Sequence, residues 1–90
     1  GNAPSPAGEP REKEKPSGKI QHEARKQLRK LEKEIDTLEQ ERAKIHEEFL
    51  NPDLPLDEMQ SRQRRLEEIA EELEEKELEW LELGESFDNL

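Results

Sequence analysis

Apolar residues recur along the first half of the chain at alternating spacings of three and four. They are Ala24, Leu28, Leu31, Ile35, Leu38, Ile45 and Phe49, with Arg42 in the one slot that is not apolar. An α-helix turns once per 3.6 residues, so these positions share one narrow stripe. Such a stripe is typical of a seam against another helix rather than of one wall of a broad core. The pattern predicts a helix 1 over about residues 20–50 that packs against one partner helix.

A second apolar series repeats every seven positions in the other half of the chain. It contains Met59, Leu66, Leu73, Trp80 and Phe87, with Ile69, Ala70 and Leu83 in the alternate layer and Arg62 and Lys76 as polar breaks. Pro55 suits the first position of a helix, and Gly84 suits a left-handed cap that ends one. We therefore predict a helix 2 over about residues 55–83, with Trp80 in the core.

The four residues 51–54 separate the two series and predict a tight turn. Pro52 disfavours helical geometry in the residue before it, so helix 1 should end there. A connection of this length forces the two helices to lie antiparallel. The predicted fold is all-α, a two-helix antiparallel coiled-coil hairpin over residues 19–90.

The antiparallel register also predicts which side chains meet. The predicted neighbours are Phe49 with Met59, Ile35 with Leu73, and Leu28 with Trp80. Arg42 would enter the seam near Leu66, where Glu67 or another acid would fix its register.

Residues 1–18 contain Pro, Gly, Ser and alternating charges, and no apolar residue larger than Ala. Such a segment cannot bury enough surface to offset the entropy of the chain, so we predict a disordered linker. Gly1, Asn2 and Ala3 are equally compatible with a cloning remnant.

Charge is distributed unevenly along the chain, whose formal net charge is −10. Residues 1–33 hold nine Lys and Arg against five Glu, and residues 34–90 hold six Lys and Arg against twenty Asp and Glu. Helix 1 therefore begins with cations and helix 2 ends with acids, and both oppose the helix dipole. In an antiparallel hairpin these two ends are neighbours, so cross-helix ion pairs would offset the cost. The candidate pairs join Arg25, Arg29 or Lys33 to Glu77, Glu79 or Glu82.

The composition argues against several classes of function. No Cys is present, so the chain has neither a disulfide nor a thiolate metal site. The glycines form no phosphate-binding loop, and the dense Glu pairs of helix 2 indicate a solvated face rather than tuned acid–base chemistry. No apolar run is long enough to span a membrane. We therefore expect no catalytic residue, no metal site, no bound cofactor and no membrane contact in this chain.

Four features together resemble one known domain. They are the Lys19-Ile20 opening of a basic helix, the Leu/Ile heptads, the turn Asn51-Pro52-Asp53-Leu54, and a second helix ending EEKELEWLELGE. This combination resembles the C-terminal coiled-coil domain of ABC-F ATPases, the Uup-like class of soluble ABC proteins, over about residues 19–85. The turn and the segment 79–83 are the specific parts of the resemblance.

The resemblance implies that the domain follows two ATP-binding cassettes in a cytoplasmic ATPase, after a charged linker. ATP and magnesium would then be cofactors of the parent protein outside this chain, and the cassettes of the same polypeptide would be partners. In Uup-like members the domain is linked to DNA binding, and the wider family acts on ribosomes. We therefore expect a monomeric hairpin that performs no chemistry and contacts DNA or ribosomal RNA.

Two clusters of cations are the candidate nucleic-acid site, because Lys and Arg contact phosphates. The candidates are Lys19, Lys26, Arg29, Lys30 and Lys33 at the start of helix 1, and Arg62, Arg64 and Arg65 near the tip of the hairpin. One alternative is that the cations of helix 1 only balance the acids of helix 2. Another is a structural or protein-binding coiled coil without nucleic-acid contact, which would self-associate through an exposed Trp80.

Overall fold

The computed structural model describes the backbone of residues 4–88 and the side chains of residues 18–86. It contains two helices, α1 over Pro4–Glu48 and α2 over Leu56–Asp88. Contacts across the hairpin pair late residues of α1 with early residues of α2, and earlier residues of α1 with later ones of α2. The helices therefore run antiparallel, and the predicted all-α hairpin is confirmed.

The turn at residues 51–54 closes the hairpin as predicted. The backbone carbonyl of Asn51 accepts a hydrogen bond from the Leu54 N–H at 3.3 Å. The Asn51 side-chain Oδ1 accepts a second one from the Asp53 N–H at 3.0 Å. Pro52 stands at the second position of this turn, where its restricted φ is already suitable. The Asn-Pro-Asp-Leu sequence thus specifies the reversal by local chemistry.

The inner ends of both helices lie close to the predicted bounds. α1 ends at Glu48 because the N–H groups of Leu50 and Asn51 bond to carbonyls three residues back, at 3.1 Å each. This spacing is a tighter turn than that of an α-helix. α2 begins at Leu56, and Pro55 supplies the carbonyl that accepts its first helical hydrogen bond at 2.9 Å.

The predicted end of helix 2 at Gly84 is wrong, since α2 continues to Asp88. Within the described residues no glycine has a positive φ, so no left-handed cap forms. A glycine inside a helix costs only about 1 kcal/mol relative to alanine. Ser86, two residues beyond Gly84, lines a groove with Leu31 of α1, so the contact between the helices continues past the glycine.

The start of α1 at Pro4 differs from the predicted start near residue 20. Three further prolines fall before residue 18, and two of them, Pro10 and Pro16, each remove a helical hydrogen bond, so the sequence favours a linker there. The side chains of residues 1–17 lie outside the described residues. The predicted disorder of residues 1–18 therefore stays a prediction.

The core is one seam between the two helices. Its buried members are Ala24, Leu31, Leu38 and Ile45 of α1 and Ile69 and Leu73 of α2. The four buried residues of α1 are each seven positions apart, as the predicted stripe requires. Ile69 is completely buried, at 0% exposure. Ile35 and Leu73 belong to the same apolar cluster, as predicted.

Two predicted members of the seam lie elsewhere. Arg42 is exposed and forms an ion pair with Glu39 of its own helix at 3.9 Å, so its predicted insertion near Leu66 is wrong. A long flexible side chain can leave the seam and keep its charge in water. Trp80 is 38% exposed, which makes the predicted core position wrong as well. Its indole N–H needs a polar partner, and it donates to Glu32 of α1 at 3.1 Å.

Candidate nucleic-acid interface

Cations of α2 reach across the seam to acids of α1 along one side of the hairpin. Arg62 Nε lies 2.8 Å from Glu48 Oε1, and Lys76 Nζ lies 3.1 Å from Glu34 Oε1. Arg65 makes two bonds to the third acid, Glu41, at 2.6 and 2.8 Å. We call this row the ionic flank; it comprises Glu34, Glu41, Glu48, Arg62, Arg65 and Lys76.

Arg65 is the centre of the ionic flank. Beyond its paired bonds to Glu41, its Nη1 lies 3.0 Å from carboxylate oxygens of both Glu68 and Glu72. The hydrogen bond from Arg65 holds the pKa of Glu41 below its usual value of 4.5, against a smaller opposing effect of burial. The same hydrogen bond to Glu41 raises the pKa of Arg65. Both groups therefore stay charged at neutral pH.

Two of the three candidate arginines near the tip are already bound to acids in the ionic flank. Arg62 and Arg65 lie in this flank, with side chains 25% and 33% exposed, and each already contacts carboxylates. Arg64 is exposed on the outside of α2. The structure therefore does not bring the three tip arginines together on one free surface.

Four predicted lysines of α1 face solvent. Lys19, Lys26, Lys30 and Lys33 are exposed and form no ion pair within the described residues. They are spaced by seven, four and three residues, so they lie on one outer face of the helix. Lys44, eleven residues or about three turns after Lys33, continues the same face and is also exposed. We call these five residues the lysine stripe.

The lysine stripe is continuous with Arg29. Lys26, Arg29, Lys30 and Lys33 line one shallow concavity of the surface, together with Glu23 and Glu32. Neither Arg29 nor Lys33 forms an ion pair among the described residues, so the predicted pairs from these two to α2 are absent. The cross-helix pairs of Arg62, Arg65 and Lys76 have the opposite sense, because the acid is on α1 and the cation on α2.

The sequence comparison identifies the domain. The family of the ABC transporter C-terminal domain matches residues 19–85, a span that contains both seam-forming segments and the turn. The chain belongs to this family. The comparisons with curated proteins and with solved structures find no match. The resemblance to a C-terminal domain of an ABC protein is therefore confirmed.

As an ABC transporter C-terminal domain, the chain is an accessory part of an ABC protein. Within the described residues, no three His, Cys, Asp or Glu side chains are placed to hold a metal ion. Neither described helix has an apolar stretch that would reach across a bilayer. Charged groups form two features of its surface, the ionic flank on one side of the seam and the lysine stripe on the outside of α1.

Two features of this ABC transporter C-terminal domain were missed by sequence reasoning, and both had a signal. Glu34, Glu41 and Glu48 recur every seven residues beside the seam, which is the arrangement of charges that pair across a coiled coil. Lys44 falls at a helical spacing from Lys26, Lys30 and Lys33, so its place on their face follows from the periodicity alone.

Proposed function

We propose that the chain is the non-catalytic C-terminal accessory domain of a soluble, cytoplasmic ABC-F ATPase, and that its lysine stripe contacts nucleic acid. The nucleic acid would be DNA or ribosomal RNA. ATP and magnesium would be bound by the cassettes of the same polypeptide, outside this chain. The domain would act as a monomeric hairpin that positions the cassettes on their target.

The exposure of the lysine stripe supports the nucleic-acid contact. A phosphate is bound by a cation that is free to approach it. Lys19, Lys26, Lys30 and Lys33 meet this condition within the described residues, whereas Arg62 and Arg65 already hold acids of α1. From Lys19 to Lys44 the stripe extends over roughly 38 Å of helix. This length corresponds to about one turn of a nucleic-acid duplex.

The net charge of −10 does not oppose a local contact of this kind. Charges separated by more than about 8–10 Å are largely screened at physiological salt, so the acids of α2 act weakly on the far side of α1. The lysine stripe would therefore bind as a local basic face on an acidic protein. Such binding should be weak and strongly dependent on ionic strength.

Fluorescence anisotropy with a labelled duplex, measured over a range of salt concentrations, tests the proposal. The dissociation constant should rise steeply with salt, because each phosphate contact releases counterions. The double variant Lys26→Gln/Lys30→Gln should weaken binding and lower the slope of log K against log salt by roughly one for each lysine removed. Parallel titrations with DNA and RNA duplexes would distinguish the two partners.

The matched control is Arg42→Gln/Arg64→Gln, which removes two exposed cations outside the lysine stripe. It should leave the salt slope nearly unchanged. An equal or larger loss in the control would show that the stripe is not the contact surface. If neither DNA nor RNA binds even at low salt, the proposed contact with nucleic acid is wrong.

A structural or protein-binding role is the second candidate, and one observation favours it. Leu78, Trp80 and Leu81 are exposed apolar residues within four positions of α2. Solvent-exposed apolar side chains that form a contiguous patch are typical of a protein contact surface. In that case the chain would bind a protein partner whether or not it binds nucleic acid.

A further inference from the structure

The side of the seam opposite the ionic flank is apolar and uncovered. We call it the open flank; it comprises Ile35 and Arg42 of α1 and Ala70, Leu78, Trp80 and Leu81 of α2. Leu78 and Leu81 are 55% and 54% exposed. Ala70, Leu78 and Leu81 line one groove with Arg42, and Trp80 and Leu81 line the adjoining groove with Ile35.

The dimensions of the open flank suit a helix. Leu81 lies eleven positions after Ala70, which is about three helical turns and roughly 16 Å. A two-helix hairpin leaves a groove on each side of its seam, and a third helix in that groove would bury apolar side chains from both helices. On the other side of the seam, the ion pairs of Arg62, Arg65 and Lys76 occupy the equivalent groove.

Acidic residues surround the open flank. Carboxylates beside its two grooves come from both helices, and they are Glu32, Asp36, Glu39, Glu74 and Glu77. The first three already contact Trp80, Gln40 and Arg42, whereas Glu74 and Glu77 form no ion pair among the described residues. Arg42 is the cation among the groove-lining residues, and it pairs with Glu39. A partner with apolar residues flanked by Lys or Arg would be attracted to this rim, whereas an acidic face would be repelled.

We propose that the open flank binds a basic amphipathic helix of a partner protein. Apolar side chains of that helix contact Leu78, Trp80 and Leu81, and its flanking cations pair with the acidic rim. Charge complementarity favours this occupant over the same flank of a second copy, which would bring an identical set of acids. The lysine stripe lies on the outer face of α1, so this contact is separate from the proposed nucleic-acid contact.

A designed peptide tests the proposal with the 90-residue chain. The probe is a fluorescein-labelled, 18-residue peptide of leucine and lysine whose leucines share one helical face, and its binding is followed by anisotropy. A second peptide has the same composition but no leucine face. The patterned peptide should bind, and the scrambled one should bind at least tenfold more weakly.

Two matched variants of the chain locate the contact. Leu78→Gln/Leu81→Gln should weaken binding of the patterned peptide at least tenfold, and binding of a nucleic-acid duplex should not change. Ile20→Gln/Leu50→Gln changes two exposed apolar residues elsewhere and should alter peptide binding less than twofold. All four side chains are exposed, so circular dichroism should show both variants folded.

Four results would each overturn the proposal. The patterned peptide does not bind, the scrambled peptide binds equally well, or the two double variants weaken binding equally. The fourth is self-association of the chain, seen by sedimentation, that Leu78→Gln/Leu81→Gln abolishes. That last result would identify a second copy as the occupant of the open flank.

Discussion

The ionic flank and the open flank border the same apolar seam, yet they are built in opposite ways. Glu34 and Glu41 lie three residues after the buried positions Leu31 and Leu38, and Ile35 and Arg42 lie four residues after them. Offsets of three and four fall on opposite sides of a helical stripe. A shift of one position along α1 therefore places a side chain either in the row of ion pairs or beside the uncovered apolar groove.

This difference separates two contributions to the fold. Partly exposed ion pairs contribute little stability, but opposite charges across a coiled coil define which way and in which register the helices pair. Apolar burial in the seam supplies the stability. The open flank supplies neither of these in full, since Leu78 and Leu81 remain exposed and Arg42 bonds within its own helix.

The largest effect is expected in the seam that both flanks share. Ile69→Ala should destabilise the hairpin by roughly 2–5 kcal/mol, because it leaves a cavity at a completely buried position. The free energy of unfolding of a domain of this size is itself only a few kcal/mol, so much of the population should unfold. Urea titration followed by circular dichroism measures the change.

The control for Ile69→Ala is Leu78→Ala on the open flank. It removes a similar side chain from an exposed position and should change stability by less than about 0.5 kcal/mol. Comparable losses in the two variants would contradict the assignment of Leu78 to an uncovered surface.

A smaller effect is expected from Arg42→Leu, which would make the open flank more like the seam. The new side chain would extend the stripe of α1 beside Leu73, and the gain from added apolar burial should be about 1 kcal/mol. Thermal melts compare it with Arg64→Leu, an exposed position on the outside of α2, where no gain is expected. A lower melting temperature for Arg42→Leu would show that the charge supports the seam.

Gly84 lies inside α2, three residues after Leu81 of the open flank. A Cβ added at this glycine would have no atom within 4 Å, and the backbone there is helical. Gly84→Ala should therefore stabilise α2 by about 0.5–1 kcal/mol, through the lower entropy of the unfolded chain. A loss of stability in urea titrations would instead indicate the left-handed cap that the sequence predicts.

The smallest effect is expected on the ionic flank, where Glu41→Gln removes the acid that Arg65 holds. The pKa of Glu41 is lowered in the folded state, so its charge stabilises the hairpin above the usual value of 4.5. That contribution is lost as the pH falls through the lowered pKa. The variant should melt slightly below wild type at pH 7, and the difference should vanish in acid.

Glu71→Gln is the control for Glu41→Gln. Glu71 is exposed and forms no ion pair among the described residues, so its removal should not lower the melting temperature at pH 7. A difference between wild type and Glu41→Gln that persists unchanged from pH 7 to pH 3 would contradict the role given to the charge.

Local signals predicted most of the fold. The stripe from Ala24 to Phe49 is a periodic pattern over about seven turns of helix, and such patterns depend little on context. The turn is specified by the chemistry of Asn51 and Pro52 within four residues. Both features are properties of short segments, so the sequence alone was sufficient for them.

The remaining features depend on side-chain freedom and on contacts between the helices. Periodicity gives the direction in which Arg42 leaves the backbone, but not where its guanidinium ends. It likewise placed Trp80 at a seam position without indicating that the indole would stand at the edge and bond to Glu32. Gly84 is a cap only when tertiary packing does not continue the helix.

For the same reason, the sequence predicted the exposure of the lysines in the candidate interface but not the pairing of its arginines. The outward face of Lys26, Lys30 and Lys33 follows from spacing on one helix, and these side chains are indeed exposed. Whether Arg62 and Arg65 are free depends on which residues of the other helix lie opposite them. That information is in the register of the hairpin rather than in either segment.

The four-residue turn has a consequence for how quickly the chain acquires its shape. The bonds of Asn51 to Asp53 and Leu54 close a very short loop, so the entropy lost in nucleating the hairpin is small. Each later pair, from Phe49 outward to Ala24, then enlarges the closed loop only gradually. The apolar stripes of the two helices can therefore pair in sequence, starting at the turn. A helical hairpin that assembles in this way is expected to fold within microseconds to milliseconds.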